Sequence, residues 1–75
     1  MIIIKNANEK CRFRSLKPGD TFTYLGRICV VIPYIDTNQH SYNTYALNTT
    51  SFEWIDSECM VEKVDIEVEV KRYDS

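Results

Sequence analysis

The segment from Val64 to Lys71 alternates without error between apolar and charged residues, and this pattern constrains the fold more than any other. Every even position has an aliphatic side chain and every odd position a charged one. Because successive side chains of a β-strand point to opposite faces, the pattern predicts a strand with one face on the core and one in water. A helical arrangement of the apolar residues fails at Ile66 and Val70.

The rest of the chain has the residue choice of a β protein. Ile, Val, Thr and aromatic residues dominate, whereas Leu occurs at three positions and Ala at two of the 75. This choice disfavours packed helices. Because so short a chain cannot cover both faces of a flat sheet, curling that closes the sheet edges is favoured. We therefore expect one all-β domain over residues 1–75: a small five- or six-stranded antiparallel barrel or rolled sheet, SH3-like or OB-like, with at most one short helical turn.

Turn residues divide the chain into candidate strands. Lys17-Pro18-Gly19-Asp20 predicts a tight turn, because proline presets φ and glycine accepts a positive φ. The apolar run over 27–35 predicts a central strand buried on both faces, with Pro33 at an edge or bulge. The other expected elements are a strand at 2–4, a polar turn at 6–10, a helical turn at 13–16, strands at 21–25, 42–47 and 52–55, and a polar loop at 36–41. The expected core comprises Phe22, Val30, Ile32, Leu47, Ile66 and Val68.

The cysteines indicate the cellular compartment and argue against a metal site. There are three, at positions 11, 29 and 59, and we expect no secretory signal before them, since residues 1–4 are too short an apolar segment for one. An odd number in such a chain predicts reduced thiols in the cytoplasm. With His40 they supply four zinc-ligand types, but structural zinc sites use closely spaced pairs of ligands, which this chain lacks. No apolar run approaches the ~20 residues of a membrane span. We expect no metal, no cofactor and no membrane partner.

Positive and negative charges are separated along the chain. Residues 1–27 have six basic and two acidic side chains, and residues 28–75 have three basic and nine acidic ones. Such a dipolar surface steers charged partners, and a tryptophan in the acidic half is a candidate apolar anchor. The alternative is that the charges only solvate the surface, protect a strand edge and neutralise each other across strands. The predicted partner-binding residues are Glu53, Trp54, Asp56, Glu58, Glu67 and Glu69.

A nucleic-acid-binding barrel is the second hypothesis. Small barrels stack bases on aromatic rings inside a basic groove, and the candidate residues are Arg12, Arg14, Lys17, Tyr24 and Arg27. The aromatic residues from Tyr42 onward lie in the acidic half, which repels phosphate. Most aromatic side chains are expected to pack in the core or across strands.

Catalytic motifs are absent from the sequence. His40 is the only histidine, and there is no glycine-rich phosphate loop and no His-Glu-x-x-His motif. We therefore expect no catalytic residues and no enzymatic activity.

The pattern Phe13-x-x-Leu16-x-x-Gly19-Asp20-x-Phe22 is followed by a Tyr45-Ala46-Leu47-Asn48 strand with a polar turn, by Phe52, and by an acidic connector before Val61. Together these elements resemble the short β proteins encoded by bacteriophages, prophages and plasmids. In those proteins an Asn-Ala pair and a turn glycine are usual, whereas here Tyr45 precedes Ala46 and Thr50 and Ser51 replace the glycine.

This resemblance implies a small barrel and a mobile-element origin, and it transfers no catalytic residue. Some phage proteins of this size bind and block a host enzyme or defence complex. The expected function is therefore a non-catalytic protein-binding module that inhibits or modulates a bacterial host or defence protein through an acidic face. The expected partner is a bacterial protein with a basic or nucleic-acid-binding surface. A homodimer is also expected, because the core is small and an edge near Pro33 or the first strand is open.

Overall fold

The computed structural model describes residues 2–68, and at residues 6–8 and 68 it describes the backbone only. The six strands form one antiparallel sheet in the order β1-β6-β2-β3-β4-β5. The predicted all-β domain of five or six antiparallel strands with one helical turn is confirmed. The sheet is open rather than a closed barrel, because β1 and β5 stand at its two ends. The elements are β1 Ile2–Arg12, a 3-10 turn Phe13–Ser15, β2 Thr21–Tyr24, β3 Arg27–Asp36, β4 Ser41–Ala46, β5 Ser51–Glu53 and β6 Met60–Val68.

The proline and glycine signals are confirmed. The Asp20 amide donates to the Lys17 carbonyl oxygen at 2.9 Å, and Gly19 has a φ of 96°, which residues with a Cβ rarely adopt. The register of β3 against β4 shifts between Val31 and Ile35, around Pro33. A proline cannot donate to the ladder, so it is tolerated at such an irregularity.

Strand β1 is longer than the sequence predicted. Residues 6–10 were expected to form a turn, but Glu9 pairs with Lys63 and Arg12 with Met60. Pairing with β6 therefore overrides the local turn preference, and the polar segment is accommodated by a register shift between Lys5 and Glu9. Strand β6 correspondingly begins at Met60 rather than Val64, and the prediction for residues 69–71 lies outside the described residues.

The main core cluster draws residues from four strands, from the 3-10 turn and from the β5–β6 connector. Phe22 is fully buried and meets the ring of Phe13 edge-on at 5.6 Å between centroids. The prediction that β3 is buried on both faces is wrong, because in β3 only Cys29 and Val31 are buried and residues 33–36 are exposed. The buried apolar residues are Phe13, Phe22, Cys29, Val31, Ala46, Ile55, Val61 and Val64, and all but Val64 form the main cluster. The predicted core residues Val30, Ile32, Leu47 and Ile66 are half-buried instead, and the side chain of Val68 lies outside the described part.

The connector from Trp54 to Cys59 closes over this core. Ile55 is 5 % exposed, and its amide donates to Asn43 Oδ1 at 2.9 Å while its carbonyl accepts from Asn43 Nδ2 at 2.8 Å. The Phe13 amide donates to the Cys59 carbonyl at 2.9 Å. The predicted strand over 52–55 therefore ends at Glu53, because Ile55 turns under the sheet.

Candidate functional site

A group of solvent-exposed aromatic side chains lies where the far end of β3 meets β4 and β5. Tyr34 is 60 % exposed, and Phe52 and Trp54 are each 52 % exposed; Tyr42 and Tyr45 beside them are half-buried. These five residues are called the aromatic surface below. Because aromatic side chains of this size usually bury roughly 150–250 Å² each, their clustered exposure indicates a contact surface.

Ring contacts orient the side chains of the aromatic surface. Tyr34 and Trp54 meet edge-to-face, with centroids 5.7 Å apart and planes at 79°. Phe52 contacts Tyr45 at 5.0 Å and Tyr42 at 5.7 Å between ring centroids. Such contacts reduce the rotamer freedom that a partner would otherwise have to restrict on binding.

A hydrogen-bonded loop lies beside Tyr34. Ser41 Oγ donates to Asp36 Oδ1 at 3.0 Å and lies 3.2 Å from the Tyr34 hydroxyl. The Thr37 amide donates to the His40 carbonyl at 2.8 Å and closes a tight turn. The polar loop predicted over 36–41 is therefore shorter than expected, because Asp36 and Ser41 still pair in the ladder.

The aromatic surface has carboxylates around it and no free cation. Residues 28–62 contain no lysine or arginine. Glu53 forms an ion pair with Arg27, which lies outside this segment. Asp36 and Asp56 form no ion pair with any residue that the structure describes. The surface therefore suits a cationic or neutral partner, through cation–π contact and charge attraction, and disfavours phosphate.

Several predicted partner-binding carboxylates are neutralised within the chain. Glu58 lies 3.5 Å from Arg12 and 3.1 Å from Arg14, and Glu67 lies 2.6 Å from Lys5. For Glu58 and Glu67, these ion pairs support the alternative that the charges neutralise each other within the chain and do not bind a partner.

The structure groups only part of the predicted partner-binding set. Glu53, Trp54 and Asp56 are near neighbours in the chain at the β5 edge, whereas Glu67 lies in β6, four strands away in the sheet order. Asp56 is exposed, and its Oδ1 accepts from the Glu58 amide at 2.9 Å. Glu69 lies outside the described residues. Trp54 is therefore the member of the predicted set with the largest exposed apolar side chain.

The predicted nucleic-acid-binding residues do not form a free basic groove. The ion pairs described above occupy Arg12, Arg14 and Arg27. Lys17 is exposed, and the Tyr24 hydroxyl lies 3.9 Å from Cys59 Sγ. The hydrogen bond with Cys59, followed by the charge of that thiol, raises the pKa of Tyr24 above its ordinary value. Three of the four candidate cations are thus already partnered.

Side chains capable of catalysis or metal binding are dispersed. Cys29 is buried, and Cys11 and Cys59 are half-buried free thiols. His40 lies in the β3–β4 loop, its ring 6.1 Å from that of Tyr42. Within residues 2–68, no group of three or more His, Cys, Asp or Glu side chains is placed to hold a metal ion. The same part of the chain contains no helix long and apolar enough to cross a membrane.

Sequence reasoning named Trp54 but missed the rest of the aromatic surface. Most aromatic side chains were expected to pack in the core or across strands. Tyr45 and Phe52 do pack across β4 and β5, but the exposure of Phe52 was not predicted. The sequence signal that could have identified this surface is the concentration of five aromatic residues within 34–54, a stretch that contains no lysine or arginine.

Comparison with known proteins adds no constraint on function. No protein-family model, no curated protein and no solved structure matches this chain.

Proposed function

We propose that the chain is a non-catalytic protein-binding module that contacts its partner through the aromatic surface, with Trp54 as the principal anchor. The observation that supports this proposal is the exposure of Tyr34, Phe52 and Trp54, each at least half exposed and each in ring contact with another residue of the aromatic surface. Tryptophan and tyrosine are enriched among the residues that dominate binding energy in protein interfaces. The rest of the surface then serves to exclude water around Trp54.

The charge pattern favours a protein partner over a nucleic acid. Asp36 and Asp56 border the aromatic surface, and residues 28–62 supply no cation to hold a phosphate backbone. Arginine and lysine side chains of a partner would gain cation–π contact with Trp54 or Tyr34. The partner is therefore a protein that presents basic side chains beside an apolar contact.

The sequence predicted that several carboxylates steer a charged partner toward the chain. We assign this electrostatic steering to two carboxylates near the aromatic surface. Asp36 and Asp56 attract a basic partner, and this attraction raises the association rate more than the final affinity. Glu58 and Glu67 are left to internal ion pairs.

The resemblance to phage and plasmid proteins motivates the choice of partner. We place the module in the bacterial cytoplasm, where it binds a host or defence protein with a basic, nucleic-acid-binding surface and inhibits or modulates it by covering that surface. This assignment stays a prediction.

Affinity capture from bacterial lysate tests the proposal. Wild type, Trp54→Ala and Tyr34→Ala serve as baits, and captured proteins are quantified by mass spectrometry. We expect Trp54→Ala to weaken binding of the specific partner by about 30-fold or more, as for an interface hot spot of about 2 kcal/mol. Because Trp54 is half exposed, this substitution should leave the fold intact, which far-ultraviolet circular dichroism checks.

Ile3→Ala is the matched control, since Ile3 is 37 % exposed but lies in β1, outside the aromatic surface. It should capture the same proteins as wild type. If Trp54→Ala and Tyr34→Ala retain every captured protein, the aromatic surface is not the contact site. Binding of short oligonucleotides that weakens steeply with salt would instead support the nucleic-acid hypothesis.

A further inference from the structure

The turn between β2 and β3 holds a leucine in a conformation that leucine disfavours. Leu25 and Gly26 join the paired residues Tyr24 and Arg27, and their φ angles are 49° and 78°. Two-residue turns with positive φ at both positions favour asparagine or aspartate before glycine. Leu25 is also 76 % exposed, the highest value among the exposed large apolar residues. Because backbone preference and burial both argue against leucine here, an intermolecular role is indicated.

A groove of about 560 Å³ lies beside this turn. Its apolar lining includes Ile4, Ile28 and Met60. Leu25 of the same chain also lines it. Met60 is 55 % and Ile4 41 % exposed. This site is called the aliphatic groove below. It combines a protruding apolar side chain with a concave apolar surface.

The aliphatic groove also contains unpaired charges of both signs. Lys10 and Glu62 line it and stand opposite each other in the β1–β6 ladder. Neither forms an ion pair with any residue in the described part of the chain. A ligand of a single charge sign would meet one favourable and one unfavourable group here.

Hydrogen bonds hold the turn in place. Asn48 Nδ2 donates to the Gly26 carbonyl at 3.1 Å, and Asn48 Oδ1 accepts from the Ile28 amide at 3.0 Å. The β4–β5 loop thus braces the turn on both sides of Arg27, and Leu25 projects from a fixed backbone. A contact made through a fixed side chain loses less conformational entropy on binding.

We propose that the aliphatic groove receives Leu25 from a second copy of the chain and that the protein forms a two-fold symmetric dimer. In a two-fold interface the same patch on both copies must be complementary to itself. The site meets this requirement, because it supplies a protruding side chain, an apolar groove and both charge signs. In the dimer, Lys10 of each copy faces Glu62 of the other.

Sedimentation equilibrium of the full chain tests this dimer at concentrations from about 10 µM to about 1 mM. The wild-type mass is expected to rise from 8.8 kDa toward twice that value. Leu25→Asn removes the apolar contact and improves the turn sequence, so the monomer should fold while self-association weakens about 30-fold or more. Ile35→Ala is the control and should associate like wild type, since Ile35 is 41 % exposed but lies near the other end of β3.

Charge reversal tests the two-fold arrangement. Lys10→Glu and Glu62→Lys should each weaken self-association, because like charges then face each other across the interface. An equimolar mixture of the two variants should form a heterodimer, since each contact then joins opposite charges. The proposal is wrong if wild type remains at 8.8 kDa throughout. It is also wrong if Leu25→Asn associates like wild type, or if mixing restores nothing.

Discussion

The aromatic surface and the aliphatic groove lie toward opposite ends of β3, and the charges beside them differ. Strand β3 has ten residues, so its ends are about 30 Å apart. At the Asp36 end, Asp36 and Asp56 lie beside the aromatic rings, and residues 28–62 contain no lysine or arginine. At the Arg27 end, aliphatic side chains stand beside a lysine and a glutamate. A patch with one charge sign suits a different molecule, whereas a patch with both signs can match its own copy. The charges beside an apolar patch therefore indicate its class of partner better than its size does.

The largest effect should come from the centre of the sheet. Phe22 is fully buried in β2, which lies between β6 and β3. Phe22→Ala is expected to lower the free energy of unfolding by about 3–5 kcal/mol, since it removes transfer energy and leaves a cavity. Urea titration followed by circular dichroism measures the loss. Because both surfaces depend on this core, they should be lost together. A loss below about 1 kcal/mol would show that the core tolerates collapse at this position.

A smaller loss, confined to the aromatic end, is expected from Asn43. Its Oδ1 accepts from the Ile55 amide and from Thr44 Oγ, and its Nδ2 donates to the Ile55 carbonyl. Ile55 and Thr44 are buried, so Asn43→Ala leaves polar groups unsatisfied and should lower the free energy of unfolding by about 2–3 kcal/mol. Amide hydrogen exchange should accelerate at Ile55 and stay unchanged at Ile28.

Asn48→Ala is the matched variant for the groove end. Its two hydrogen bonds are exposed, so we expect a loss of only about 1 kcal/mol and faster exchange at Ile28 rather than Ile55. If either variant accelerates exchange at both amides equally, the two ends are not independently braced.

The smallest effect concerns pH and the shared core. Burial raises the pKa of the Cys29 thiol above its ordinary value of 9.0. The folded chain then holds this proton more tightly than the unfolded chain. The stability that the protonated thiol contributes is therefore intact below pH 9.0 and is lost as the pH rises above it. Urea titrations in reducing buffer on both sides of that pH should show a smaller alkaline loss of stability for Cys29→Ala than for wild type. An equal loss would contradict this assignment.

The elements that could be predicted have local signals. Charged and apolar residues alternate over residues 64–68 of β6, and Pro18-Gly19 specifies a turn whatever surrounds it. Phe22 was correctly placed in the core because it lies on a short strand beside that turn.

The inward face of β3 could not be predicted, because residues 28–32 are all apolar and their alternation carries no information. Pairing decides the matter: Cys29 lies opposite Ala46 and Val31 opposite Thr44, and all four are buried. Which residues face inward thus depends on a strand more than ten residues away.

The candidate site could be predicted only in part for the same reason. The sequence identified Trp54 as an apolar anchor and the surrounding carboxylates as its partners. It could not show that Glu58 lies against Arg12 and Arg14, because the β1–β6 ladder creates that proximity. The use of Trp54 as an anchor stays a prediction.

The irregular pairing of β1 limits how copies of this chain can polymerise. β1 is the longer of the two outer strands, and its register against β6 shifts between Lys5 and Glu9. An added strand that hydrogen-bonds in register with β1 on one side of this shift is out of register with the backbone donors and acceptors on the other side. The opposite edge, β5, offers only three residues. Fibre growth by strand addition is therefore disfavoured at both edges, and the two-fold dimer proposed above would end assembly at two copies.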